Sequence, residues 1–165
     1  MKANSAVPKF QLIPLAISLF ITLAIGGVAT IFTRPEIKGW YITLNKPGFT
    51  PPNWLFPVAW TTLYVLIAIA AYLVWKRRDG TPVYRTTAII YSIQLLLNFL
   101  WSIVFFGLHQ IFGGLIIIVL LLVFIILNIA WFGRFTKTAA WLLVPYLVWV
   151  SYATLLNIGI YILNK

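Results

Sequence analysis

Residues 86–133, TTAIIYSIQLLLNFLWSIVFFGLHQIFGGLIIIVLLLVFIILNIAWFG, contain no Asp, Glu, Lys or Arg across the whole interval between Arg85 and Arg134. One helix through that interval, rising roughly 1.5 Å per residue, would be about 70 Å long, over twice the thickness of a hydrocarbon core. The segment must therefore double back. Gly107, His109, Gln110, Gly113 and Gly114 mark the reversal, since they combine helix-breaking glycines with polar side chains suited to the headgroup region.

Outward from this hairpin lie three more uncharged runs, giving spans at 10–32, 54–75, 86–108, 111–132 and 139–163. Each suits a crossing that takes about 20 residues of helix. A chain that is 62% hydrophobic and 8% charged has more apolar surface than a soluble domain of 165 residues could hide. The expectation is an all-α integral membrane protein, a bundle of five transmembrane helices forming one domain over 1–165, with one long connection at 33–53. The first run exceeds the apolar core of a signal peptide and is read as a retained span. An odd number of spans argues against two equal inverted halves.

Five crossings put the termini on opposite sides. Lys2, Lys9, Lys76, Arg77, Arg78, Arg85, Arg134 and Lys137 share the amino-terminal side, against Arg34, Lys38, Lys46 and Lys165 on the other. In a plasma membrane this bias places the amino terminus in the cytoplasm and the 33–53 connection outside. The same placement accounts for the net charge of +10. The cations rim the spans, where lipid headgroups rather than nucleic acid are the expected partner. The absence of cysteine excludes disulfides, Cys-ligated zinc and iron–sulfur clusters.

The spans differ in texture. Leu115–Ile126 is almost wholly Leu, Ile and Val, which suits a helix facing lipid or a partner subunit. Ser18, Thr22, Gly26 and Thr30 recur at four-residue steps, a small-residue stripe whose expected role is close helix packing. In the third span Tyr91, Gln94, Asn98, Trp101, Ser102 and Phe105 share a side. In the fifth, Trp141, Pro145, Trp149, Ala153 and Asn157 share a stripe. Buried amides need partners in hydrocarbon, so Gln94 and Asn98 are expected to bond either another helix or a bound molecule.

Conventional acid–base chemistry is poorly supplied. Glu36, Asp79 and His109 fall in expected loops, and no catalytic triad, paired carboxylates, phosphate loop or metal cluster can be assembled from them. His109 has the chemistry to ligate haem iron, but a single histidine at a reversal reads first as a surface residue. Aromatic surface is plentiful, at 17% Phe, Trp and Tyr. Interfacial anchoring explains Trp40, Trp54, Trp75, Trp131 and Trp141, yet leaves Trp60, Trp101 and Trp149 inside spans. Their faces, their indole N–H groups and the Asn98 amide suit a large planar or steroidal ligand. Pro47, Pro51, Pro52 and Pro57 keep Lys46–Asn53 out of a continuous helix, so this segment reads as a lid carrying Phe49. Lys38 and Lys46 are either solvated loop charges or partners for ligand carboxylates.

Trp40-Tyr41, Lys46-Pro47-Gly48-Phe49-Thr50-Pro51-Pro52, Trp60-Thr61-Thr62-Leu63-Tyr64, Tyr72-Leu73-Val74-Trp75, Leu97-Asn98 with Trp101-Ser102, and Pro145-Tyr146-Leu147-Val148-Trp149 closely resemble the TspO/MBR family. The likeness runs through all five spans. It implies a five-helix bundle, commonly a homodimer, with a pocket below the loop between the first two helices. It also implies porphyrins or haem-type tetrapyrroles as ligands with no required cofactor, sterols in animal members, and synthetic aromatic molecules. Carried over by motif, the pocket includes Tyr41, Pro51, Trp60, Asn98, Trp101, Trp149 and Ala153, with Phe49 where the family often has Trp. Ile158 and Gly159 stand where animal members carry two tyrosines, so cholesterol is not the expected ligand, although Leu156, Tyr161 and Lys165 satisfy the loose sterol pattern.

Two functional readings follow from the resemblance. The first is a receptor or carrier-like protein that binds tetrapyrroles for sensing, transport or disposal. The second is an enzyme that degrades porphyrin with light and oxygen through Trp60 and Trp149, which needs no acid–base residue.

Overall fold

The computed structural model describes residues 10–165. Lys2 and Lys9, counted above toward orientation, lie outside them. The chain forms α1 (Leu12–Lys38), α2 (Trp40–Thr43), α3 (Leu55–Trp75), α4 (Pro82–Ser102), α5 (Ile111–Gly133), α6 (Lys137–Leu142) and α7 (Val144–Leu163). Five helical stretches are long and apolar enough to cross a membrane, the fourth comprising α5 and the fifth α6 with α7. In hydrocarbon every backbone N–H and C=O needs a partner inside the protein, and uninterrupted helices supply one. The protein is an all-α, multi-pass integral membrane bundle.

Around the bundle α1 packs on α3, α3 on α6 and α7, α7 on α5, α5 on α4, and α4 again on α1. The small-residue stripe of α1 sets its approach to α3. Ser18 donates a 2.8 Å hydrogen bond to the Ala68 carbonyl, and Gly26 leaves its side-chain position to the ring of Tyr64. Thr30 is exposed and returns its hydroxyl to the Gly26 carbonyl.

The structure departs from the sequence expectation in four places. First, α1 runs past 32 to Lys38 and takes Arg34, Pro35 and Glu36 into its last turns, so the connection contains α2 and an irregular stretch only from Leu44 to Trp54. The missing Pro35 N–H does not end the helix, because the Pro35 carbonyl still accepts from Gly39 N at 3.1 Å. Second, α4 ends in a wider π-helical turn, Ile103–Gly107, closed by Leu108 N on the Ile103 carbonyl at 2.8 Å. The reversal is confined to Leu108–Gln110, with His109 at φ 55°, and Gly113 and Gly114 belong to α5.

Third, the fifth span is interrupted between Leu142 and Val144, just before Pro145, which has no N–H to continue the ladder. Trp141 and Pro145 therefore face outward while Ala153 and Asn157 are buried, so the expected stripe is not one face. Fourth, α5 is not purely an outward helix. Ile118, Leu121, Ile125, Asn128 and Phe132 enter the core between α4 and α7, and Ile116, Val119, Val123 and Ile126 stay outside.

At the α3–α4 turn, Asp79 accepts from both the backbone N and the hydroxyl of Thr81, and Thr81 in turn caps α4 through Tyr84 N. Those bonds, the hydroxyl's first, hold the exposed Asp79 carboxyl below its ordinary range.

Candidate functional site

A cavity of about 600 Å³ lies among α1, α3 and α4, beneath the segment that follows α1. Its walls come from Leu23, Gly26, Gly27, Ala29, Thr30 and Thr33 on α1, from Phe56, Pro57, Trp60, Thr61 and Tyr64 on α3, and from Asn98, Trp101 and Ser102 on α4. Arg34, Ile37, Tyr41, Asn53 and Phe106 complete it. Among the described residues, the lining contains no Asp, Glu, His or Lys. It offers aromatic faces, hydroxyls, two amides and one guanidinium.

The aromatic wall is built by helical spacing. Trp60 and Tyr64 stand one turn apart on α3, ring centroids 5.8 Å from each other, and Trp60 also meets Trp101 at 6.1 Å and Tyr146 at 6.3 Å. Trp101 stacks on Phe105 at 5.6 Å, and Tyr41 packs on Phe105 and Phe106. Phe105 and Phe106 are the two buried residues of the π-helical turn. Trp101 is 7% exposed, and its indole N–H is buried without a hydrogen-bond partner. Such orphan donors cost about 1–3 kcal/mol, so each one calls for an explanation.

Below the cavity, buried amides and phenols link four helices. Tyr64 donates to Asn98 Oδ1 at 2.6 Å, Asn98 Nδ2 and Gln94 Nε2 both donate to the Tyr146 hydroxyl at 2.8 Å, and Asn128 Nδ2 donates to Gln94 Oε1 at 3.3 Å. The amides of Gln94 and Asn98 thus bond other helices. Asn98 keeps one N–H in hand at the cavity wall.

The lid is fastened to α7. Asn45 N donates to Asn164 Oδ1 at 3.0 Å and Asn164 Nδ2 donates to the Asn45 carbonyl at 2.8 Å. Pro47 occupies the space left bare by Gly159, and the Tyr152 hydroxyl donates to the Phe49 carbonyl at 2.6 Å. Lys46 is half-buried and bonded within the connection itself. Its ammonium donates to the carbonyls of Tyr41 at 2.8 Å and Leu44 at 3.0 Å, closing the end of α2, and sits 4.9 Å from the Tyr41 ring centroid. Burial, with a smaller contribution from Tyr152, pushes the Tyr41 hydroxyl up to about 12.

Of the site residues expected from sequence, Tyr41, Trp60, Asn98 and Trp101 line the cavity. Phe49 is 54% exposed on the lid beside Tyr152, and Pro51 is half-buried there. Trp149 lies one layer behind the wall, with its ring 6.0 Å from Phe56 and 5.8 Å from Tyr152. Ala153 is buried on α7. Sequence reasoning did not single out Arg34, Tyr64, Tyr146 or Asn128. Tyr64 was findable as the residue one turn beyond Trp60, and Asn128 as the one amide in an otherwise apolar span. Glu36 and His109, far apart in sequence, meet at 2.8 Å, and the His109 ring stacks on Trp40 at 4.5 Å.

A five-span helical bundle with an aromatic cavity under a lid tied to its last helix defines a class of small, ligand-sized membrane bundles. The TspO/MBR family model matches residues 17–163, and the chain belongs to that family. It is 44% identical over 154 residues to the tryptophan-rich protein TspO of Archaeoglobus fulgidus, covering 93% of this chain and 99% of that one. It is 40% identical to the protein of the same name from Chlorobaculum tepidum, covering 93% and 98%. The human translocator protein is 37% identical over 134 residues, covering 79% and 78%.

Proposed function

We propose that this chain is a membrane receptor or carrier-like protein that binds porphyrins and related tetrapyrroles in the cavity among α1, α3 and α4. The observation that carries the reading is the pair of Trp60 and Trp101 rings, 6.1 Å apart, walling a cavity of about 600 Å³ together with Tyr41, Phe56, Tyr64 and Phe106. A broad ring system would stack on Trp60 and Trp101. Arg34 at the cavity rim supplies a cation for a ligand carboxylate, in place of Lys46. The family resemblance supplies the ligand class. Within this reading the protein works as a homodimer with its amino terminus in the cytoplasm, and sterols are alternative occupants.

Titration with protoporphyrin, followed by the shift of its main absorption band, tests the proposal. Saturable binding that weakens in Trp101→Phe and Arg34→Gln is expected. Binding that never saturates, or is unchanged in both variants, removes the site. Illuminating the same samples tests the oxidative reading: bleaching that persists undiminished in Trp60→Phe and Trp149→Phe rejects catalysis through those two residues.

A further inference from the structure

At the opposite end of the bundle, a groove of about 270 Å³ runs between α1, α3, α4 and α5. Its walls include Ile17, Tyr72, Trp75, Tyr84, Ala88 and Tyr91. Three of the polar groups on this wall are engaged within the protein. Ser18 bonds the Ala68 carbonyl, Thr87 bonds the Val83 carbonyl, and the Tyr72 hydroxyl accepts from Gln11 N. The interior thus presents mainly hydrocarbon and aromatic surface.

Its rim is cationic. Tyr72 and Trp75 stack with ring centroids 6.4 Å apart, the Lys76 ammonium sits 5.6 Å from the Tyr72 centroid, and the Arg78 guanidinium sits 3.8 Å from that of Trp75. Two positive charges therefore rest on two rings that also wall the groove. The neighbouring carboxylate of Asp79 is turned to Thr81. Glu36, the other acid among the described residues, pairs with His109 at the far end. Arg77 is directed to the Phe135 carbonyl and Arg134 to the Trp131 ring.

We propose that this groove is a binding site for an anionic phospholipid, with one acyl chain lying along Ile17, Ala88 and Tyr91 and the phosphate held between Lys76 and Arg78. The chain gains burial from water-free aromatic contact, and the headgroup gains two cations that no described carboxylate neutralises. This site is separate from the porphyrin cavity and does not depend on it.

The full chain in detergent is titrated with phosphatidylglycerol and with phosphatidylcholine of identical acyl chains, and retained lipid is counted by native mass spectrometry. One lipid per chain is expected, with a preference for the anionic headgroup on the order of tenfold. The double variant Lys76→Gln with Arg78→Gln loses that preference and keeps only chain-driven binding. Ala88→Phe, at an exposed position in the groove, lowers retention of both lipids. The pair Lys38→Gln with Lys165→Gln, which removes the same charge elsewhere, leaves the preference intact. Equal retention of the two lipids by the unmodified chain, an equal loss in the Lys38/Lys165 pair, or unchanged retention in Ala88→Phe would each overturn the site.

Discussion

The ring of Pro47 stands where a side chain on Gly159 would have to go. A Cβ there would collide with the ring, and because Pro47 begins the turn closed by Thr50 on its carbonyl at 3.0 Å, the ring cannot retreat alone. Gly159→Ala is therefore expected to lift the lid without unfolding the bundle. Hydrogen exchange over 45–53 should quicken and porphyrin should dissociate faster, while the helical signal stays constant. Unchanged exchange in that segment would show that the lid is held elsewhere.

Adjacent glycines on α1 are expected to answer differently. Gly26 faces the Tyr64 ring, which its hydroxyl bond to Asn98 holds in place, so Gly26→Ala should overpack the α1–α3 contact at a cost of about 1–3 kcal/mol. Gly27 has nothing within 4 Å of an added Cβ and lines the cavity. Gly27→Leu should leave the unfolding midpoint near its original value and weaken porphyrin binding about tenfold or more. Denaturation in detergent and ligand titration on the two variants separate the effects.

Tyr146 holds the buried network together. Tyr146→Phe keeps the ring and strands the amide donors of Gln94 and Asn98, for an expected loss of about 1–2 kcal/mol. Equilibrium unfolding in detergent measures it. A loss no larger than that of a half-buried control whose hydroxyl bonds nothing among the described residues, such as Tyr161→Phe, would mean the amides find other partners.

The shift at Tyr41 sets an alkaline limit on the lid. Its hydroxyl is raised from 10.0 to about 12, so the neutral phenol is favoured in the closed lid relative to the open chain. That contribution is complete below pH 10 and disappears as the pH rises through about 12. Exchange over 41–46 should accelerate across this window in the unmodified chain. In Tyr41→Phe the acceleration should shrink.

Much of this architecture was legible in the chain itself. The uncharged interval between Arg85 and Arg134 forced a hairpin, and Pro47, Pro51 and Pro52 excluded helix from the lid, because both are constraints that act locally, whereas Pro57 is accommodated in the first turn of α3. Partnerships across the bundle were not legible. Tyr146 meets amides 48 and 52 residues away, and a tyrosine within a span carries no mark of which helix its hydroxyl will reach. The extension of α1 through Arg34–Lys38 was hidden for another reason. Charges signal the end of hydrocarbon, and a helix can continue beyond it into water.

The wide turn at Ile103–Gly107 is a register change of one residue. An unbroken α-helix sets neighbours about 100° apart around the axis, and an extra residue changes the direction in which the side chains of that turn leave it. Both Phe105 and Phe106 are buried there, and each packs against Trp101 and Tyr41. One ring of the cavity lining, that of Phe106, thus depends on a single inserted position, and deleting that position would re-aim it.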